Sequence, residues 1–241
     1  MNLVALQTKI STNFQENLNH LKELISQCEP NSFILAPEVC LTGFCYDRME
    51  EASVFNQEAI KQLQNLSKDR TIALTFIIKK DKQFFNTLYI FHKEKIVHTQ
   101  SKHRLFPLGD ELKYFTSGDI EDMKIIDING VKVATLVCFE IRFPQYWLKV
   151  LGADLILNPS MWGVKRKEHF ETMTKALAVA NQCFVLTANG ADANMAKGSG
   201  ILSPWAQEFR DDAKEIISQT IDLNEIKKVR KYIDIGLNTN G

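Results

Sequence analysis

Val131-Lys132-Val133-Ala134-Thr135-Leu136-Val137-Cys138-Phe139-Glu140-Ile141-Arg142-Phe143-Pro144 is the stretch on which the fold turns. From Val131 to Val137 the side chains are mostly β-branched or apolar, as in a buried strand, and that strand runs straight into a cysteine. Pro144 presets the backbone of a first helical turn, so a short helix is expected to open there and run through Leu151. The chain therefore swings from strand to helix just after Cys138. A nucleophile on such a turn projects from the carboxyl edge of a sheet, and the next backbone N–H, that of Phe139, is free to meet an oxyanion. Just upstream, Asn129-Gly130 adopts the left-handed conformations of a type I′ turn cheaply, which makes Met123–Ile128 and Val131–Val137 a hairpin.

Working outward, Asn2 to Gln7 is an apolar run of strand length. Thr12 or Asn13 then offers an N-cap to a helix reaching about Cys28, with Phe14, Leu18, Leu21, Leu24 and Ile25 at helical spacing. Phe33 to Ala36 is a second strand, ended by Pro37, which cannot continue a ladder, so Glu38 falls at a strand's carboxyl end. Residues from about Asn56 to Ser67 read as helix, and Thr71–Ile78, Phe84–Phe91 and Lys95–Thr99 as a three-stranded meander. Between His103 and Gly118 lies a loop with Pro, Gly and Asp, long enough to be functional rather than connecting. Beyond Pro144 the pattern predicts a strand at Asp154–Leu157, a helix at about Lys165–Asn181 and a strand at Cys183–Ala188. Short strands at Ile201–Leu202 and Glu215–Ile221 and a helix at Leu223–Arg230 follow. No Gly/Ser/Pro-rich linker or internal repeat divides the chain, so one domain over residues 1–241 is expected. Hairpins mixed with helices imply an α/β protein whose sheets are covered by helices, of which a four-layer arrangement is one solution.

Composition narrows the function. The 241 residues carry 29 Lys+Arg against 29 Asp+Glu, a formal net charge of zero. Binders of nucleic acid or anionic membranes need a basic excess to release counterions or reach headgroups, so neither is an expected partner, and a small molecule is. No apolar run approaches the ~18 residues of a membrane span. The first residues lack a basic segment followed by an apolar one, which makes the cytoplasm the expected compartment. The cysteines at 28, 40, 45, 138 and 183 are odd in number and have no C-x-x-C spacing, arguing against a disulfide framework or a four-Cys zinc site. Cys28, Cys40, Cys45 and Cys183 read as small packing residues. Cys138, on its strand-to-helix turn, does not.

A working thiol needs a base and an electrostatic partner, and polar residues at other strand ends supply candidates. Glu38 follows the Phe33–Ala36 strand, and Lys102 follows the strand at Lys95–Thr99. An amide carbonyl is a poor electrophile with a poor leaving group, so its cleavage needs a strong nucleophile, oxyanion stabilisation and a proton donor. Glu38 would take the thiol proton, Cys138 would attack, and Lys102 with the Phe139 N–H would hold the oxyanion. Glu38 would then protonate departing ammonia and activate the water that hydrolyses the thioester. This chemistry requires no metal or organic cofactor. Arg142 could anchor a substrate carboxylate through its two-pronged donor geometry, or could pair with a structural carboxylate.

The same residues carry a family resemblance. Pro37-Glu38 with Gly43 and Phe44, Lys102-His103-Arg104-Leu105-Phe106, and Val137-Cys138 through Pro144 resemble, in that order, the Glu, Lys and Cys motifs of the nitrilase superfamily, the carbon-nitrogen hydrolases. Asn158-Pro159-Ser160, Asn181-Gln182 and Gly198-Ser199-Gly200 before Pro204 add to it. The stretch Leu108-Gly109-Asp110-Glu111 with Tyr114 and Gly118, and the Arg-Phe-Pro after the cysteine, are most similar to the omega-amidase branch. The resemblance implies an α-β-β-α sandwich with its site at the strand ends, assembly into a homodimer, and Glu111 as a second glutamate that positions Lys102 or substrate. It implies an amidohydrolase of small linear amides, with a nitrilase, a carbamoyl-amine hydrolase or a non-catalytic binding relative as alternatives. Two departures stand out. Leu177-Ala178-Val179-Ala180 replaces a family stretch with Arg and Glu, consistent with apolar packing of that helix, and Glu140 replaces a common Asp.

Overall fold

A computed structural model describes residues 1–237. The first half of the chain forms β1 (Asn2–Leu6), α1 (Phe14–Ser26), β2 (Ser32–Leu35), α2 (Met49–Leu66), β3 (Thr71–Lys80), β4 (Gln83–His92), β5 (Lys95–Ser101) and α3 (Glu111–Tyr114). The second forms β6 (Ile126–Ile128), β7 (Val131–Thr135), α4 (Pro144–Lys149), β8 (Leu155–Pro159), α5 (Lys167–Ala180), β9 (Phe184–Ala188), β10 (Gly200–Leu202), β11 (Glu208–Arg210), β12 (Ile216–Thr220) and α6 (Asn224–Tyr232).

These strands make two six-stranded sheets, ordered β12-β1-β2-β3-β4-β5 and β11-β10-β9-β8-β7-β6. Each has a centre of three parallel strands, β1 to β3 in one and β7 to β9 in the other, with antiparallel strands outside. Alternation along the strands builds the layers. In β1, Leu3 and Ala5 face the second sheet, whereas Val4 and Leu6 pack beneath Leu18, Leu21 and Ile25 of α1 and Leu63 of α2. On the far side, Phe170, Leu177 and Ala178 of α5 cover the second sheet. The result is the four-layer α-β-β-α sandwich.

Local sequence explains most element boundaries. Asn13 caps α1 by accepting from the amides of Gln15 (3.0 Å) and Glu16 (3.3 Å). Asn129 (φ 53°) and Gly130 (φ 81°) both take the left-handed angles expected between β6 and β7. Some boundaries differ from expectation. Helix α2 starts at Met49 rather than Asn56, because Met49, Ala52 and Ser53 extend its buried face. Strand β7 leaves the ladder at Thr135, since the Val137 N–H is taken by a Glu140 carboxylate oxygen at 2.7 Å. Strand β11 is short and charged, and joins the sheet only by pairing with β10.

Candidate active site

Parallel β2 and β7 end at the same rim of the sandwich, and β5 runs with β3 because two antiparallel pairings separate them. Ligand sites of such sheets form at the carboxyl ends of strands. Glu38, three residues past β2, donates its N–H to Ser160 O (3.2 Å), just past β8 of the opposite sheet. Its side chain is fully buried, and Oε1 accepts from Asn86 Nδ2 (2.7 Å) and Lys102 Nζ (2.7 Å). Oε2 is buried without a hydrogen-bond partner.

Lys102 follows β5 and is also fully buried, its N–H held by Asn86 O at 2.8 Å. Its ammonium reaches Glu111 Oε1 at 2.8 Å as well as Glu38. Burial opposes the charge on Lys102, but the Glu38 and Glu111 carboxylates outweigh it and hold the pKa above the ordinary lysine value. Glu111 opens α3 and accepts the Phe106 N–H on its other oxygen (3.1 Å). Burial raises its pKa, with Lys102 opposing the rise.

Cys138 opens a 3-10 turn, Cys138–Arg142, at φ 48°, an angle that costs a non-glycine residue about 1–3 kcal/mol and must be held by its surroundings. The Phe139 N–H donates to no group among the described residues. Burial pushes the Cys138 thiol well above its usual range; the Glu38 carboxylate adds to the shift, while Lys102 opposes it. A thiolate here would be a third buried anion beside one cation. Burial therefore favours the protonated thiol.

Glu38, Glu111, Cys138 and Phe139 share the wall of one cavity of about 450 Å³ with aromatic residues Phe44, Tyr46, Phe106 and Trp162. Two arginines line it. The Arg142 guanidinium stacks over Trp162 at 4.5 Å and donates to His169 Nδ1 at 3.1 Å, while Arg166 stacks over Phe106 at 5.1 Å. Neither has a carboxylate within ion-pair distance among the described residues, so the alternative of an Arg142 paired with a structural carboxylate is not what forms. Burial, and then Arg166, lower the Arg142 pKa.

Thus the fold gathers Glu38, Lys102, Glu111, Cys138, Phe139 and Arg142, the residues named from sequence. Cys28, Cys40 and Cys183 are buried away from the cavity wall, and Cys45 is half-buried. Sequence reasoning missed Asn86, Glu140 and Arg166. Asn86 sits mid-strand, where no pattern distinguishes it. Arg166 lies in a Lys/Glu-rich run that looks like solvent-exposed surface. Asn158 proves to be a joist: its Nδ2 donates to Leu136 O (2.6 Å), and its Oδ1 accepts from Ser160 and Thr187, both at 3.0 Å. In the departing stretch on α5, Leu177 and Ala178 pack in the core, but Val179 and Ala180 are exposed.

A family model described as carbon-nitrogen hydrolase matches residues 3–231, and the chain belongs to that family. Among its relatives is the 2-oxoglutaramate amidase of Bacillus subtilis (strain 168), 29% identical over 234 residues that cover 91% of this chain and 90% of that protein. Omega-amidase YafV of Yersinia enterocolitica is 26% identical, covering 73% and 68%. Among solved structures, XC1258 from Xanthomonas campestris, a CN-hydrolase superfamily protein, superposes with a TM-score of 0.88 at 18% identity, covering 100% and 97% of the chains. Nit3 of Saccharomyces cerevisiae, a member of the nitrilase superfamily, gives 0.83 at 19%, covering 98% and 95%. The chain is therefore a hydrolase of carbon-nitrogen bonds with amidase relatives. No helix among the described residues is long and apolar enough to cross a membrane.

Proposed function

We propose that this chain is a cysteine-dependent amidase of small linear amides that carry a carboxylate at the far end, the omega-amides of dicarboxylic acids. The observation that carries the reading is Glu38 Oε2, a buried carboxylate oxygen without a partner in the wall that also holds Cys138. It accepts the thiol proton as the sulfur attacks the amide carbonyl carbon. The oxyanion is met by the Lys102 ammonium, whose charge the two carboxylates secure, and by the Phe139 N–H. Collapse breaks the C–N bond, and the proton on Glu38 leaves with ammonia. Glu38 then takes a proton from water, the hydroxide opens the thioester, and carboxylate and thiol are released. Arg142 and Arg166, without acidic partners, offer bidentate donors to the substrate's carboxylate. The amidase names of the relatives agree with this chemistry. In a mutant of the amidase from Nesterenkonia sp. AN1, acrylamide has undergone Michael addition at the active-site cysteine, which agrees with a nucleophilic thiol alone.

Ammonia release is followed across succinamate, glutaramate, acetamide, a carbamoyl-amine and propionitrile, with wild type and Cys138→Ala. Release from succinamate or glutaramate by wild type alone is expected. Equal, slow release by both proteins across the panel would overturn the enzyme reading, and a preference for propionitrile or the carbamoyl-amine would overturn the substrate class. The same reading carries a cytoplasmic homodimer, and sedimentation as a monomer at high concentration would count against the dimer.

A further inference from the structure

The groups that meet in the cavity come from different sheets. Glu38 and Lys102 follow strands of the first sheet, and Cys138 follows β7 of the second. Catalytic geometry fails with displacements of about 1 Å, so something must fix one rim against the other. Glu140 is placed to do so. Its side chain is fully buried and it forms no salt bridge among the described residues. Its Oε1 accepts from the amides of His103 (2.7 Å) and Arg104 (3.3 Å), and its Oε2 accepts from the amide of Val137 (2.7 Å). His103 is the residue after Lys102, and Val137 the residue before Cys138. One carboxylate thus ties the backbone beside the lysine to the backbone beside the thiol.

We infer that Glu140 is the positioning residue that holds the Cys138 turn in register with Lys102 across the two sheets. It touches no substrate. Three amide donors spread over two oxygens require a group that accepts on both, which a carboxylate does and a carboxamide does not. The left-handed angle at Cys138 makes the anchoring necessary, because a released turn would relax toward an ordinary φ and carry the sulfur away from Glu38. Burial favours the neutral acid, against the hydrogen bonds from Val137 and His103, and the outcome is a pKa of about 7. A neutral carboxamide would be less costly to bury but would turn an N–H toward one set of these donors, so the acid is the group that the three amides require.

The inference rests on Cys138 being the nucleophile, and its test separates the two. Wild type, Glu140→Asp and Glu140→Gln are compared for kcat and KM on succinamate, for the rate at which iodoacetamide alkylates Cys138, and for melting temperature. Glu140→Gln turns a carboxamide NH2, a donor, toward one set of backbone N–H donors; a loss in kcat of about 10²-fold with KM within about threefold is expected, with alkylation slowed in parallel. Glu140→Asp keeps both acceptor oxygens on a shorter arm and should recover part of the loss, to within about tenfold of wild type. If the Gln variant does not fold, the Asp variant decides by the same readouts. Should kcat and the alkylation rate stay within about twofold of wild type while only the melting temperature falls, Glu140 supports the fold and the inference is wrong. If instead wild type releases no ammonia, or Cys138→Ala retains release, the amidase reading fails. The alkylation comparison still reports whether Glu140 positions the thiol.

Discussion

An oxygen that receives two hydrogen bonds is a poor proton acceptor, so with Oε1 held by Asn86 and Lys102, the proposed mechanism assigns the thiol proton to the unpartnered Oε2 of Glu38. Glu38→Gln should preserve the fold and lower ammonia release by at least ~10²-fold, the usual contribution of a general base. Steady-state rates with matched circular dichroism spectra check this. In the wall of the same cavity, Arg166→Ala should raise KM for succinamate about tenfold and leave acetamide unchanged, since only the former has a carboxylate to lose. Measuring both substrates on one preparation separates recognition from damage. Glu38, Lys102 and Cys138 were legible because each sits where a strand pattern stops, and a polar residue there has no packing reason to exist. Asn86 and Arg166 were not, since their roles depend on which element faces them, and that is a property of the other half of the chain.

The elements are local objects, and their legibility followed. Asn13, with the helical spacing behind it, announced α1; replacing it with Ala should cost about 1 kcal/mol, read as a fall in denaturant midpoint at unchanged slope. Apolar runs broken by turn residues disclosed β1 to β5, but α2 began early because its first turn buries Met49 and Ala52 against neighbours that the sequence does not display. The loop after Lys102 holds a tighter constraint. Gly118 donates its N–H to Lys102 O (2.9 Å), and a Cβ on it would lie 2.1 Å from Ser101 O. Gly118→Ala must therefore push the backbone beside Lys102. A loss of kcat exceeding that of Asn13→Ala is expected even after the two are matched for stability at lower temperature, and kinetics at several temperatures check it.

At the scale of the molecule, the family resemblance implied the stacking of the two sheets, but strand order could not be read from the pattern, because β1 pairs with β12 from the far end of the chain and no local pattern records that register, Asn2 opposite Thr220. Burying a carboxylate between the sheets also gives the whole protein a pH signature. Glu140 titrates near 4.5 when exposed and at about 7 in the fold. Its protonated form is thus favoured by folding: the contribution is complete below about 4.5 and is lost as pH rises through about 7. The melting temperature of wild type relative to Glu140→Gln should accordingly fall across that window, and a flat difference would contradict the burial. The division of the reacting groups between two sheets has a consequence for the newborn chain. Until the halves dock, Cys138 is apart from Glu38 and Lys102, so on the proposed mechanism a ribosome-bound or half-refolded molecule would have no assembled site. During refolding, hydrolysis should be the last signal to return, after the circular dichroism of the separate sheets.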